Sequence, residues 1–331
     1  VEGYTNYLWT LISAVPLAAG AEDPLPAMQF LGFVLWLGTL VILLVLGVAL
    51  ADRDFLSASL VAIPLAAHWS FGKWYVSGME TGLVSFLFVL LLAGLAFQDI
   101  ERPARAALLG VVVVLTMIAR SDTTVFVVGV AVAGMICEWR WLAERQFWRR
   151  WLPSLLGPIG LVYLPYTVWR LYFYGDILPN TYYAKMAFDP SWERGLIYLQ
   201  TYFEVYRFVP LLVLPVIAVL ITREPSMRRF LSGAILGSGA VMLYLWRLGG
   251  DFMEWRFLMP VTGVLYAAIG VGAFVTALRI SEMACAGIGR GRFGDRRWIS
   301  ASAVCSLVGL VFSAAILGHL HHRTVAGRTL A

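Results

Sequence analysis

Long apolar blocks, each closed by a short polar loop, set the rhythm of this chain. Blocks of 13 to 23 residues fall at about 28–50, 55–67, 81–98, 106–119, 123–138, 151–172, 208–222, 230–246, 257–278 and 299–318. None alternates with the two-residue period of a half-buried strand, and uninterrupted apolar runs near 20 residues are how lipid-facing helices read. The pattern therefore predicts an all-α, polytopic transmembrane helical bundle of about ten spans. Several blocks are shorter than 18 residues, which leaves room for re-entrant or cavity-lining pieces. Residues 7–20 (YLWTLISAVPLAAG) are too short to span and contain a Pro, so they read as an interfacial helix.

Composition agrees. Of 331 residues, 60% are apolar and 14% charged, against roughly half and a quarter in soluble domains. One membrane domain, 1–331, is the expected organisation. The net charge of +5 is not a nucleic-acid footprint, because the arginines sit in short loops between apolar blocks. Taking loops 51–54, 99–105, 139–150, 223–229 and 279–298 as cytoplasmic gives 15 Arg in 50 residues. The other loops, 1–27, 68–80, 120–122, 173–207, 247–256 and 319–331, carry 9 Lys and Arg in 101 residues and belong outside. The expected location is the inner (cytoplasmic) membrane, multi-pass. Cys137, Cys285 and Cys305 form no CxxC pair, which argues against redox or metal chemistry. The chain begins without Met and reads as a fragment cut inside a loop, with a C-terminal part missing as well.

That partition also gathers the unusual polar residues on the outer side. Both lysines, Lys73 and Lys185, fall there. So do Glu2 and Asn6 in VEGYTNYLW, Glu80 in GMET, Arg120-Ser121-Asp122, the stretch YGDILPNTYYAK (174–185) and GGDFMEWRF (249–257). A site assembled from several outer loops is the natural reading. Each segment has a plainer reading beside it. Arg120 and Asp122 fit a local turn at the interface, the tyrosines an aromatic belt, Asp251 a helix N-cap, and Glu80 an ordinary first-turn charge. His68 and the group His319, His321 and His322 resemble metal bait, but the spacing does not support a site.

These segments, in this order, resemble polytopic glycosyltransferases of the GT-C superfamily, which use a polyprenyl-phosphate sugar donor. Within it the resemblance is to the terminal β-(1→2)-arabinofuranosyltransferase family of mycobacterial walls and its bacterial relatives. LPNTYYAK and GGDFM carry it most specifically. The resemblance implies inverting transfer of an arabinofuranose-like sugar to a cell-envelope glycan, with the site facing the periplasm or outside. It also implies an acidic catalytic motif after the first span, which would precede Val1, so the chain as it stands is expected to be inactive.

The chemistry follows from the donor. Polyprenyl phosphate leaves without protonation, so the enzyme has to deprotonate an acceptor hydroxyl with a carboxylate and neutralise the departing phosphate. Asp122, Asp251 and Glu80 are the catalytic candidates, which would orient sugar hydroxyls or hold a metal. Lys185, Arg256 and Arg120 are candidates for the donor phosphate. Asn180, Tyr183, Asp176, Glu254 and Asn6 are candidates for sugar binding. A divalent cation, Mg or Mn, fits the chemistry without being required. A lipid-linked glycan flippase or a non-catalytic membrane assembly protein would keep the same fold. The chain shows no internal repeat of the transporter kind.

Overall fold

The computed structural model describes residues 5–50, 55–176, 183, 191–206, 208–251 and 253–286. Thirteen α-helices are named in chain order: α1 Tyr7–Ala18, α2 Leu25–Leu50, α3 Phe55–Ala66, α4 Trp69–Tyr75, α5 Thr81–Ala96, α6 Pro103–Ala119, α7 Thr124–Cys137, α8 Leu152–Pro158, α9 Leu164–Tyr174, α10 Trp192–Tyr206, α11 Val213–Ile221, α12 Pro225–Leu248 and α13 Met259–Ala286. Among the described residues every regular element is helical.

The expectation of about ten spans is corrected. Among the described residues, three helices are long and apolar enough to cross a membrane: α2, α12 and the Met259–Ile280 part of α13. A fourth is possible if α10 and α11, bent by 97° across a short break, count together. The reason is length. α5 has 16 residues and α6 has 17, which at about 1.5 Å per residue falls short of a 30 Å hydrocarbon core. The block at 208–222 yields a nine-residue α11 after a 3₁₀ turn. The block at 151–172 is broken into α8, a π-helical turn at Ile159–Tyr163 and α9. The segment 7–20 is the short helix α1. The block at 299–318 lies outside the described residues.

α13 is the axis of the packing. Its membrane-length window is 89% buried, against 28% for α2, which therefore lies at the periphery. Two buried hydroxyl pairs cross between helices, as an apolar surrounding favours. Thr262 on α13 donates to the Leu258 carbonyl at 2.8 Å and shares 2.6 Å with the Tyr202 hydroxyl. Thr39 meets the Tyr75 hydroxyl at 2.7 Å. Small residues let helices touch along their backbones, as membrane interfaces favour. A Cβ on Gly129 of α7 would stand 2.6 Å from the Leu236 carbonyl oxygen of α12. Phe88 and Phe126 stack beside that contact at 3.7 Å. Outside, Leu161, Tyr172 and Leu220 are at least 79% exposed, as lipid-facing side chains would be.

The loops sort to two ends. At one end, Asn6 donates to Glu80, Trp9 Nε1 to the Gly78 carbonyl, Ser121 N–H to the Thr5 carbonyl, and Ser191 N–H to the Arg247 carbonyl. Lys73 pairs with Glu254 there. At the other end, Arg229 donates to the Gln98 carbonyl and pairs with Glu138, and Gln146 donates to the Ile100 carbonyl. The first set is the group of loops poor in arginine, the second the arginine-rich group.

Candidate functional site

At the arginine-poor end four distant segments close on one another, and helix termini bring them there. α6 stops at Ala119 because Arg120 turns extended, with φ −155° and ψ 137°. A 3₁₀ turn, Ser121–Thr123, then feeds α7, and the Thr123 hydroxyl bonds the Thr116 and Arg120 carbonyls at 2.6 Å each. Arg120 is thereby aimed into the bundle, with 5% of its side chain exposed. Its Nε donates to Asp122 Oδ1 at 2.9 Å and its Nη2 to Asp122 Oδ2. Its Nη1 lies 3.8 Å from Glu80 Oε1, an ion-pair distance without an aligned hydrogen bond. Asn6 Nδ2 donates to the other Glu80 oxygen at 3.2 Å. Burial opposes the charge on Arg120. Asp122 and then Glu80 outweigh that and hold the guanidinium charged, its pKa lifted above the ordinary arginine value.

Phe257 joins this group to the next. Its ring faces Arg120 at 4.3 Å and Arg256 at 4.9 Å, so two guanidiniums rest on one aromatic side chain. Arg256 Nε lies 3.2 Å from Asp251 Oδ2, and the Asp251 side chain is 2% exposed. Asp251 is not the N-cap of the following helix, which begins eight residues later at Met259. Two glycines make this corner. α12 ends at Gly249 with φ 90°, and Gly250 follows with φ 84°, a conformation glycine adopts without penalty. A Cβ on Gly250 would stand 2.5 Å from Tyr198 Cγ on α10. Trp255, at φ 44°, holds a left-handed conformation despite its side chain, and its ring packs on Tyr206 at 5.5 Å. A strained non-glycine residue is the kind of outlier that gathers at functional sites.

A third group lies along the same segment. Glu254 accepts from Lys73 Nζ at 2.9 Å and from the Ser70 hydroxyl at 3.1 Å, while its carbonyl accepts from Trp74 Nε1 at 3.0 Å. Tyr206 donates to Ser70 at 3.0 Å. His68 caps α4, its Nδ1 accepting from Phe71 N–H at 3.1 Å, and its ring lies 4.7 Å from Tyr206. Among the described residues no three His, Cys, Asp or Glu side chains are grouped to hold a metal ion.

Of the residues expected from sequence, Asn6, Glu80, Arg120, Asp122, Asp251, Glu254 and Arg256 are thus drawn to one end of the bundle. Asp176 and Tyr183 pair with each other at 3.0 Å near the surface. Asn180, Lys185 and the histidines from His319 onward lie outside the described residues. Ser70, Lys73, Tyr198 and Phe257 were not among the candidate site residues. Lys73 carried a usable signal, since a rare lysine fell on the same side as the acidic clusters. Phe257 carried none.

No protein-family model matches this chain, and no solved structure matches it. Among curated proteins it is similar to the terminal β-(1→2)-arabinofuranosyltransferase of Mycobacterium tuberculosis. The identity is 29% over 237 aligned residues, which cover 64% of this chain and 36% of the relative. The chain thus spans little more than a third of that relative's length. With its apolar helices, it is a helical membrane protein similar to a glycosyltransferase.

Proposed function

We propose that this chain is part of a membrane glycosyltransferase. It moves an arabinofuranose-like sugar from a polyprenyl-phosphate donor to a cell-envelope glycan, on the outer face of the inner membrane. The observation that carries the reading is the meeting of Glu80, Arg120, Asp122, Asp251 and Arg256 at the arginine-poor end. The similarity to an arabinofuranosyltransferase supports it. This reading keeps the GT-C resemblance drawn from the motifs.

In this proposal the acceptor hydroxyl gives its proton to a carboxylate and its oxygen attacks the anomeric carbon. The bond from that carbon to the phosphate oxygen breaks, and the electron pair leaves with polyprenyl phosphate. Arg256, shared between Asp251 and the Phe257 face, and Lys185 on the 174–185 stretch meet that phosphate. Arg120 is 5% exposed and paired with two carboxylates, so it acts best by fixing Asp122 and Glu80. Asp122, with 22% of its side chain exposed, and Glu254, also at 22%, are the carboxylates best placed for sugar hydroxyls.

The test uses the full-length protein in vesicles with a synthetic polyprenyl-phosphate pentose and an oligosaccharide acceptor. Transfer product with release of polyprenyl phosphate is expected. Movement of intact donor between leaflets without product would replace this reading with a flippase.

A further inference from the structure

The arginine-rich end carries a feature that sugar transfer does not use. A cavity of about 350 Å³ opens there between α5, α6, α7, α8 and α12. Its wall includes Leu91, Val113, Val127, Ala131, Trp148 and Trp151, and is almost wholly apolar. An apolar cavity of about 150 Å³ stays dry and takes benzene, and this one is more than twice that size. Left empty, it would forfeit the contacts that close-packed interiors make.

The charge beside the cavity defines the occupant. Arg149 and Arg150 sit between the lining residues Trp148 and Trp151, and both are exposed. Residues 139–150 hold four arginines against one glutamate. Arg229 on the cavity wall is already committed to Glu138 at 3.3 Å and to the Gln98 carbonyl, so the free positive charge lies at Arg149 and Arg150. A hydrocarbon chain fits the wall, and a phosphate fits the exposed arginines.

We propose that this cavity binds one acyl chain of an anionic phospholipid, with its phosphate held by Arg149 and Arg150. The site lies at the end opposite the carboxylate cluster and is independent of the transfer reaction.

The experiment is native mass spectrometry of the full-length protein in detergent, titrated with phosphatidylglycerol or with phosphatidylcholine of the same chains. One phosphatidylglycerol should bind about tenfold more tightly than phosphatidylcholine. Arg149→Gln/Arg150→Gln, two surface changes that leave the packing intact, should bring that ratio near one. Val113→Phe, which fills the cavity, should abolish tight binding of both lipids. Equal binding of the two lipids by the unaltered protein, no retained lipid, or an unchanged ratio in the double arginine variant would each overturn the proposal. If Val113→Phe fails to fold, the arginine variant alone decides.

Discussion

Replacing Arg120 with Met keeps the reach of the side chain and removes its charge. The residue is 5% exposed, holds Asp122 through Nε at 2.9 Å and Glu80 at 3.8 Å, and lies 4.3 Å over Phe257. Without it, Asp122 at 22% exposure still reaches water, but Glu80 at 8% keeps Asn6 as its one named donor. Breaking a buried pair from one side costs about 3–5 kcal/mol, since the partner is left as an uncompensated charge. The lost contact with Phe257 adds about 0.5–1 kcal/mol. We expect a loss of about 4–6 kcal/mol in equilibrium unfolding in mixed micelles. Arg120→Met/Glu80→Gln should recover at least about 2 kcal/mol of that loss, because it neutralises the stranded carboxylate. A loss under about 1 kcal/mol, or no recovery in the double variant, would refute the view that Arg120 is the hub of this cluster.

Other expectations follow from the same geometry. Gly250→Ala combines a left-handed φ of 84° with a Cβ 2.5 Å from Tyr198. It should cost about 2–4 kcal/mol in the same unfolding measurement; a cost below about 0.5 kcal/mol would mean this corner is loose. Thr262→Val strands the Tyr202 hydroxyl, now 2.6 Å away, and should cost about 1–3 kcal/mol on unfolding. With the native cysteines removed, Lys73→Cys and Arg149→Cys should label with an impermeant reagent from opposite sides of the membrane. Labelling of both from one side would break the two-ended layout.

Much of the helix plan was written in the apolar blocks. The starts and ends of α2, α5, α6, α7 and α12 fall within a few residues of the block edges. Among the described residues, arginine density also sorted the loops into two contacting groups, because charge at loop positions is a local property. Span number was not legible in the same way. A block of 14 apolar residues such as 106–119 reads alike whether it faces lipid or packs inside, and α6 folds into a 17-residue helix lying against α8, where Gly110 meets the Leu155 carbonyl. The block at 151–172 read as one span, although prolines at 153, 158 and 165 stand where the helix is interrupted.

The site was half legible for a related reason. Rare charges in apolar surroundings, such as Glu80, Arg120 and Asp251, announce themselves by the cost of burying them. Their pairing does not, because Glu80 meets Arg120 across 40 positions and Lys73 meets Glu254 across 181. Phe257, on which both arginines rest, looks like any other aromatic residue at the mouth of an apolar block.

The claim that this end of the molecule transfers sugar is tested most directly by turnover of a synthetic polyprenyl-phosphate pentose by purified full-length protein at matched folded concentration. Asp251→Asn and Lys185→Met should each lose about 2–4 kcal/mol of transition-state stabilisation, or roughly 30- to 1000-fold in rate. Arg149→Gln, at the opposite end, should leave the rate unchanged. Turnover near that of the unaltered protein in both Asp251→Asn and Lys185→Met would contradict the account.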